Sequence, residues 1–335
     1  MPTFIIAEAG VNHNGNIELA KSLIDIACEA GCDAIKFQTF KADNLVIKSA
    51  QKAEYQIKNT GNNDSQYDML KKLELSYENH KELIKYCNSK NILFLSTPFD
   101  EESVDMLYDL GIKLFKIPSG EITNKPFLKY IAKKQKTIIL STGMSTLGEV
   151  EEALKWIYEE GNYQVTLLHC TSNYPAEISD VNLKAMLTLK DAFKVKVGYS
   201  DHTLGTEVSI AAVALGAEVI EKHFTLDKNM EGPDHKASLE PLELKKLVQA
   251  IRNIEIALGD GVKKPSRQEL STREVVRKSI VTCRSIEKGE TITHEMLALK
   301  RPGTGLEAKY LEMILNKKAT RNLPSDYILQ IGDFQ

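Results

Sequence analysis

The sequence predicts an α/β protein, a closed (β/α)8 TIM barrel followed by a small second module, and three observations predict it. Short β-rich runs alternate with longer amphipathic stretches over roughly the first 260 residues, the pattern of βα units around a parallel sheet. Eight such runs occur, which suits a closed barrel better than an open sheet of about five or six strands. Polar residues collect at the carboxyl ends of these runs, where barrels of this kind do their chemistry.

The runs are FIIAEA (4–9), AIKFQT (34–39), LFLST (93–97), LFKIPS (114–119), TIILST (137–142), VTLLHC (165–170), KVGYS (196–200) and VIEKHF (219–224). Between them helical spacing recurs, as in Ile17, Ala20, Leu23, Ile24 and Ala27 before a stop at Gly31. Further helices are expected over 78–89, 124–134, 147–159, 182–192, 204–215 and 241–258. The first crossover holds a long polar insertion between Thr39 and Ser76. The barrel domain is expected over 1–260, a polar linker over 261–278, and a module of short strands and turns over 279–335. So small a module is expected to dock on the barrel or on another subunit.

Composition bounds the function. With 335 residues, 42% hydrophobic and 27% charged, the chain can build a large core. Lys and Arg total 43 against 46 Asp and Glu, a formal charge of -3, so no global field draws it to nucleic acid. No positive leader region opens the chain, and no apolar run approaches the roughly 18 residues of a membrane helix. A cytoplasmic protein without nucleic-acid or membrane partners is expected. The five cysteines form no CxxC pair and read as reduced, structural thiols.

Side chains two apart on a strand share a face, which pairs Lys36 with Gln38, His169 with Thr171, Ser200 with His202 and Glu221 with His223. Cys170 then faces away from His169, which excludes a Cys/His nucleophilic pair, and Lys222 faces the helices, where a snorkelling role is expected. Two inward lysines, Lys36 and Lys116, would cost several kcal/mol each unless an anion meets them. Glu8 and Glu121 are available as carboxylate partners. The hydroxyls of Thr97, Ser119 and Ser141 at neighbouring strand ends instead fit a bound phosphate or carboxylate. There is no Walker A sequence and no GxGxxG. His202 and His223 end consecutive runs, and two imidazoles plus waters suit Mn²⁺ or Co²⁺ better than a structural Zn²⁺. HExxH is absent, and His80 and His294 read as surface residues.

Ten ordered strings, among them AEAGVNHNG (7–15), KFQTFKAD (36–43), STPFD (96–100), KIPSGE (116–121), STGMST (141–146), LLHCTSNYP (167–175), GYSDHT (198–203), EKHFTLDK (221–228), GPDHKAS (232–238) and KRPGTG (300–305), resemble the sialic acid synthase family over nearly the whole chain. The tail resembles that family's antifreeze-like (SAF) domain. The resemblance implies a metal-dependent condensation of phosphoenolpyruvate with an N-acetyl-hexosamine aldehyde, releasing phosphate by C–O cleavage. The sugar is N-acetylmannosamine, giving N-acetylneuraminate, or alternatively the 2,4-diacetamido-trideoxy sugar that gives N,N'-diacetyllegionaminate. It implies phosphoenolpyruvate ligands at Lys36, Thr97, Lys116, Ser119 and Ser141, and Ser172 stands where several relatives carry asparagine. His202 and His223 resemble the two metal ligands, for Mn²⁺ foremost and Co²⁺ or Mg²⁺ otherwise, and Ser200, on the same face as His202, is counted among the substrate-binding residues. Glu8 resembles a carboxylate beside the reacting sugar. Gln38, Glu121, Tyr174 and Asp234 resemble substrate-side residues, as does Asn62 or Asn63 of the insertion. Arg301 matches a tail arginine that reaches the sugar's N-acetyl group across a domain-swapped homodimer.

Overall fold

The computed structural model describes residues 2–60 and 64–335, the side chains of Tyr55 and Lys58 excepted. The chain divides into two compact units, Met1–Gly259 and Asp260–Gln335. In the first, eight strands form the expected barrel: β1 (Phe4–Gly10), β2 (Ala34–Thr39), β3 (Leu93–Pro98), β4 (Leu114–Ile117), β5 (Thr137–Ser141), β6 (Val165–Cys170), β7 (Lys196–Asp201) and β8 (Val219–His223). They pair in parallel in the order β3-β2-β1-β8-β7-β6-β5-β4, and β3 packs beside β4, so the sheet nearly closes.

The barrel interior explains where the polar residues stand. Ile6, Ala34, Leu95, Ile139, Leu168 and Val219 form an apolar floor, with Leu114 packed against it. Two residues further along the same strands come Glu8, Lys36, Thr97, Ser141, Cys170, Glu221 and Lys116. A period of two therefore sets a polar layer directly above the floor, facing the same interior. On β7 the floor position is Gly198, where an added Cβ would lie 2.3 Å from the Val219 carbonyl oxygen and 2.7 Å from Leu168 Cδ2. Only glycine fits there.

The helix Ile17–Ala30 starts on Asn16, whose side chain accepts from the Glu18 and Leu19 amides, and ends at Gly31 with φ 83°. Leu147–Glu159 and Pro241–Leu258 have the expected bounds. The helix Glu101–Asp109, capped by Asp100, is one the hydrophobic spacing leaves unmarked. The insertion after β2 is itself helical, over Ala42–Leu45, Glu54–Thr60 and Gln66–Leu73. Its Met69 and Leu73 bury against Val11 and Phe40. Asn59 Nδ2 donates to the Pro233 carbonyl at 2.7 Å, tying the insertion to the loop after β8.

His80 is a correction: it is fully buried, with Nδ1 2.9 Å from the Ser76 carbonyl and Nε2 2.7 Å from Thr39 Oγ1. It shares the buried face of the helix Tyr77–Ser89 with Leu83 and Cys87, three and seven residues on. His294 is exposed, as expected.

In the second unit β9 (Ser279–Thr282) pairs antiparallel with β10 (Leu297–Lys300) around a separate core that includes Ile280, Ile292, Ile314, Leu323 and Leu329. The stretch read as a linker contains a helix, Arg267–Val276, started by a capping box between Ser266 and Glu269. Among the described residues no helix is long and apolar enough to cross a membrane.

Candidate active site

Four charged side chains meet inside the barrel mouth. Lys36 Nζ lies 2.9 Å from Glu8 Oε2, 3.5 Å from Glu221 Oε2 and 2.8 Å from the Thr97 hydroxyl. Lys116 Nζ lies 3.3 Å from Glu221 Oε1, which also accepts from the Ser200 hydroxyl at 2.9 Å. All four charged residues are at most 4% exposed. The carboxylates that meet the lysines are thus Glu8 and Glu221. Glu121 instead accepts from Asn124 Nδ2 at 2.7 Å, on the helical turn after β4.

The environments of the two carboxylates differ. Burial pushes Glu8 up to about 7, since Lys36 only partly offsets desolvation and the like charge of Glu221 adds to it. Glu221 suffers the same desolvation, but Lys116, Lys36 and the Ser200 hydroxyl overcome it and hold the carboxyl well below the usual range. Burial likewise opposes the charge on Lys36, which Glu221 and Glu8 restore, raising it above the ordinary lysine value. Lys116 has less compensation and is lowered, chiefly by burial. With Glu221 ionised and Glu8 titrating near neutrality, two ammoniums face fewer than two full negative charges. The layer suits an anion.

Hydroxyls surround that layer. The Ser141 hydroxyl is buried and meets no hydrogen-bond partner among the described residues. Ser119 Oγ accepts from the Gly143 amide at 2.9 Å and lies 3.1 Å from Cys170 Sγ. Ser172 crowds the same spot: a Cβ on Gly143 would fall 2.2 Å from Ser172 Oγ. The cavity of about 290 Å³ above the floor is lined by Glu8, Lys36, Gln38, Thr97, Lys116, Ser119, Ser141, Cys170, Ser172, Tyr174, Ser200, His202, Glu221 and His223.

Two imidazoles close one side of this cavity, with ring centroids 5.6 Å apart. His202 Nδ1 lies 2.7 Å from the Thr171 carbonyl, so that nitrogen carries the proton and Nε2 keeps its lone pair. His223 Nδ1 is buried and meets no hydrogen-bond partner among the described residues. Burial lowers His202 to about 4 and His223 well below the ordinary histidine value, so both rings are neutral, the form that binds a metal. The donor set therefore fits a divalent ion. Among the described residues no group of three or more His, Cys, Asp or Glu offers a closed cage, so further ligands would be water or substrate. The Tyr174 ring covers His202 at 4.1 Å and meets His223 edge-on at 5.6 Å.

The remaining expected residues fall elsewhere. Asp234 is buried beside the loop after β8, and desolvation raises it to about 6; it does not line the cavity. Asn62 and Asn63 lie outside the described residues. Arg301 is exposed on the second unit, just after β10.

Three other readings change. Cys170 and His169 do face opposite ways, but it is Cys170 that looks into the barrel. His169 lies on the helix side, with Nε2 2.7 Å from the Val181 carbonyl. Lys222 does not snorkel; it is buried and ion-paired to Asp201 at 2.9 Å. Glu221, the counter-charge to both lysines, was marked only as sharing a face with His223, and that position was the signal for it.

A model described as the NeuB family matches residues 23–263, and one described as the SAF domain matches residues 277–335. An N,N'-diacetyllegionaminic acid synthase of Campylobacter jejuni is 58% identical over 330 residues, covering 98% of this chain and 99% of that protein. An N,N'-diacetyllegionaminic acid synthase of Legionella pneumophila is 54% identical over 327 residues, covering 96% and 92%. Among solved structures, an N-acetylneuraminic acid (sialic acid) synthetase from Leptospira borgpetersenii in complex with citrate aligns with TM-score 0.72 at 38% identity, covering 81% of this chain and 90% of that one.

Proposed function

The chain belongs to the NeuB family and ends in a SAF domain, and from that premise we propose that it condenses phosphoenolpyruvate with 2,4-diacetamido-2,4,6-trideoxymannose to give N,N'-diacetyllegionaminate and phosphate. It is an enzyme of the sialic acid synthase family, a condensing transferase. The relatives at 58% and 54% identity favour the diacetamido sugar over N-acetylmannosamine.

The observation that carries this reading is the buried layer in which Lys36 and Lys116 face one small cavity with the hydroxyls of Thr97, Ser119 and Ser141. Lys36 and Lys116 bind the charged groups of phosphoenolpyruvate, and Ser119, Ser141 and the neighbouring Ser172 orient them. C3 of the enol bonds to the aldehyde carbon, water adds at C2 with one of its protons ending on the former aldehyde oxygen, and the C2–O bond breaks as the C2 hydroxyl gives its proton to the departing phosphate and becomes a carbonyl. Glu8, titrating near neutrality, accepts the proton of the attacking water. Glu221 keeps both lysines charged until the ligand arrives. A divalent ion at His202 and His223, Mn²⁺ foremost and Co²⁺ or Mg²⁺ otherwise, supplies Lewis-acid polarisation of the aldehyde oxygen when bound. Gln38, Tyr174, Glu121, Asp234 and an asparagine of the insertion are assigned to the sugar side. Arg301 is assigned to the N-acetyl group across a swapped homodimer.

The test is phosphate release from phosphoenolpyruvate with each sugar in parallel. Turnover with the diacetamido sugar well above that with N-acetylmannosamine is expected; the reverse preference would overturn the substrate assignment, and no release with either would overturn the reaction.

A further inference from the structure

Behind the two imidazoles, on the outer side of the sheet, Asp201 of β7 and Lys222 of β8 stand directly opposite each other in parallel register. Their side chains are 0% and 1% exposed, with the charged atoms 2.9 Å apart. Asp201 Oδ1 accepts from the Thr203 amide at 2.9 Å and the Thr203 hydroxyl at 2.7 Å, and Oδ2 accepts from the Ser209 hydroxyl at 2.6 Å. Lys222 Nζ also donates to the Thr203 carbonyl at 2.5 Å.

These bonds share one property: they hold the residues on either side of His202, and they draw on the residue that precedes His223. β7 ends at Asp201, so His202 itself lies beyond the ladder. Its carbonyl accepts from the Ala176 amide at 2.9 Å, on the side away from β8. The Lys222 side chain spans from β8 to the backbone past His202 and closes that gap. A buried ion pair is a poor source of net stability, because apolar residues of similar volume often serve as well. Placement is what this one provides.

We infer that the Asp201–Lys222 pair is a clamp that fixes the spacing of the His202 and His223 imidazoles and so sets the affinity of the site for a divalent cation. This rests on the metal reading proposed above. Asp201 and Lys222 do not line the cavity that His202 and His223 face; they are positioning residues. They act as outer-shell partners do, whose loss weakens metal affinity by about 10- to 100-fold.

The experiment is calorimetric titration of Mn²⁺ into the full-length protein after chelator stripping, without substrate. Wild type is expected to take up one ion per chain. Lys222→Met is expected to bind it about 10- to 100-fold more weakly with the same stoichiometry, and with an altered Mn²⁺ paramagnetic resonance spectrum. Asp201→Asn, which keeps its size and most of its hydrogen-bonding capacity, carries the same expectation should Lys222→Met fail to fold. Thr39→Val removes a buried hydroxyl bonded to His80 of the helix Tyr77–Ser89 and to Ser96 of β3, and is expected to lower stability while leaving Mn²⁺ affinity unchanged. Wild-type affinity in the folded Asp201 or Lys222 variants would overturn the clamp alone, as would an equal loss in Thr39→Val. Absence of Mn²⁺ binding by wild type would overturn the metal reading and the clamp with it.

Discussion

Glu221 Oε1 lies 3.3 Å from Lys116 Nζ, inside a layer where neither side chain is more than 5% exposed. The same carboxylate reaches Lys36 through its other oxygen at 3.5 Å, so one negative charge supports two buried ammoniums. Removing one partner of such a set costs about 3–5 kcal/mol, because the others stay buried without compensation. Glu221→Gln should therefore melt several degrees below wild type. Phosphoenolpyruvate should raise the melting temperature of the variant by more than it raises that of wild type, because the ligand supplies the missing negative charge. Equal melting temperatures for both proteins would refute this account of the layer.

Lys116 has no carboxylate to itself and sits beside the Ser119 and Ser141 strand ends. Lys116→Ala should raise the KM for phosphoenolpyruvate by about 10- to 100-fold, the size of a lost charge-assisted contact, and leave the sugar KM nearly unchanged. Steady-state kinetics with each substrate varied in turn decides it. Equal losses for both substrates would speak against an anion site here.

Gly143 has its amide on Ser119 Oγ, and a methyl group there would meet Ser172 Oγ at 2.2 Å, Cys170 Sγ at 2.8 Å and Ser119 Oγ at 2.9 Å. Overpacking of this kind costs about 1–3 kcal/mol. Gly143→Ala is expected to lower the melting temperature by a few degrees and weaken phosphoenolpyruvate, and adding Ser172→Ala should recover part of the stability. A Gly143→Ala protein with native KM and melting temperature would show that this corner has room to spare.

Chelation tests the neutral imidazoles. Excess EDTA should abolish turnover, and Mn²⁺ should restore it, whereas His202→Ala should stay inactive at moderate Mn²⁺. Undiminished turnover in EDTA would remove the metal from the reaction.

How much of this site is legible in the sequence follows from which contacts are local. The step of two from floor to polar layer is local, so Lys36, Lys116, Thr97, Ser141 and Glu8 can be placed from their strands alone. On β6 the run VTLL is buried on both faces, as parallel strands under helices are, and gives no clear alternation to read. That is why His169 could be taken as inward when Cys170 is. The role of Glu221 depends on β2, β4 and β8 converging, a tertiary fact that no single run contains. His80 hid in a helix rich in polar residues, although its spacing to Leu83 and Cys87 was there to be used.

Six of the seven histidines, His13, His80, His169, His202, His223 and His235, are held below the ordinary histidine value, chiefly by burial. His13 and His235 come down to about 4. Between that value and about 6.5 the unfolded chain binds protons that the folded chain refuses, so stability rises with pH across this window and is lost as pH falls through it. Glu8 and Asp234, raised to about 7 and about 6, pull the other way, because they bind protons in the folded chain first. Two groups oppose six, so the histidines set the sign. For His13 alone the loss by pH 4 is on the order of 3 kcal/mol, at about 1.36 kcal/mol per pH unit. Melting temperatures of the metal-free protein should hold steady above about pH 6.5 and fall steeply toward pH 4.5, and His13→Gln should make the fall shallower. A melting temperature that rises on acidification would mean that the two carboxyl groups outweigh the buried imidazoles.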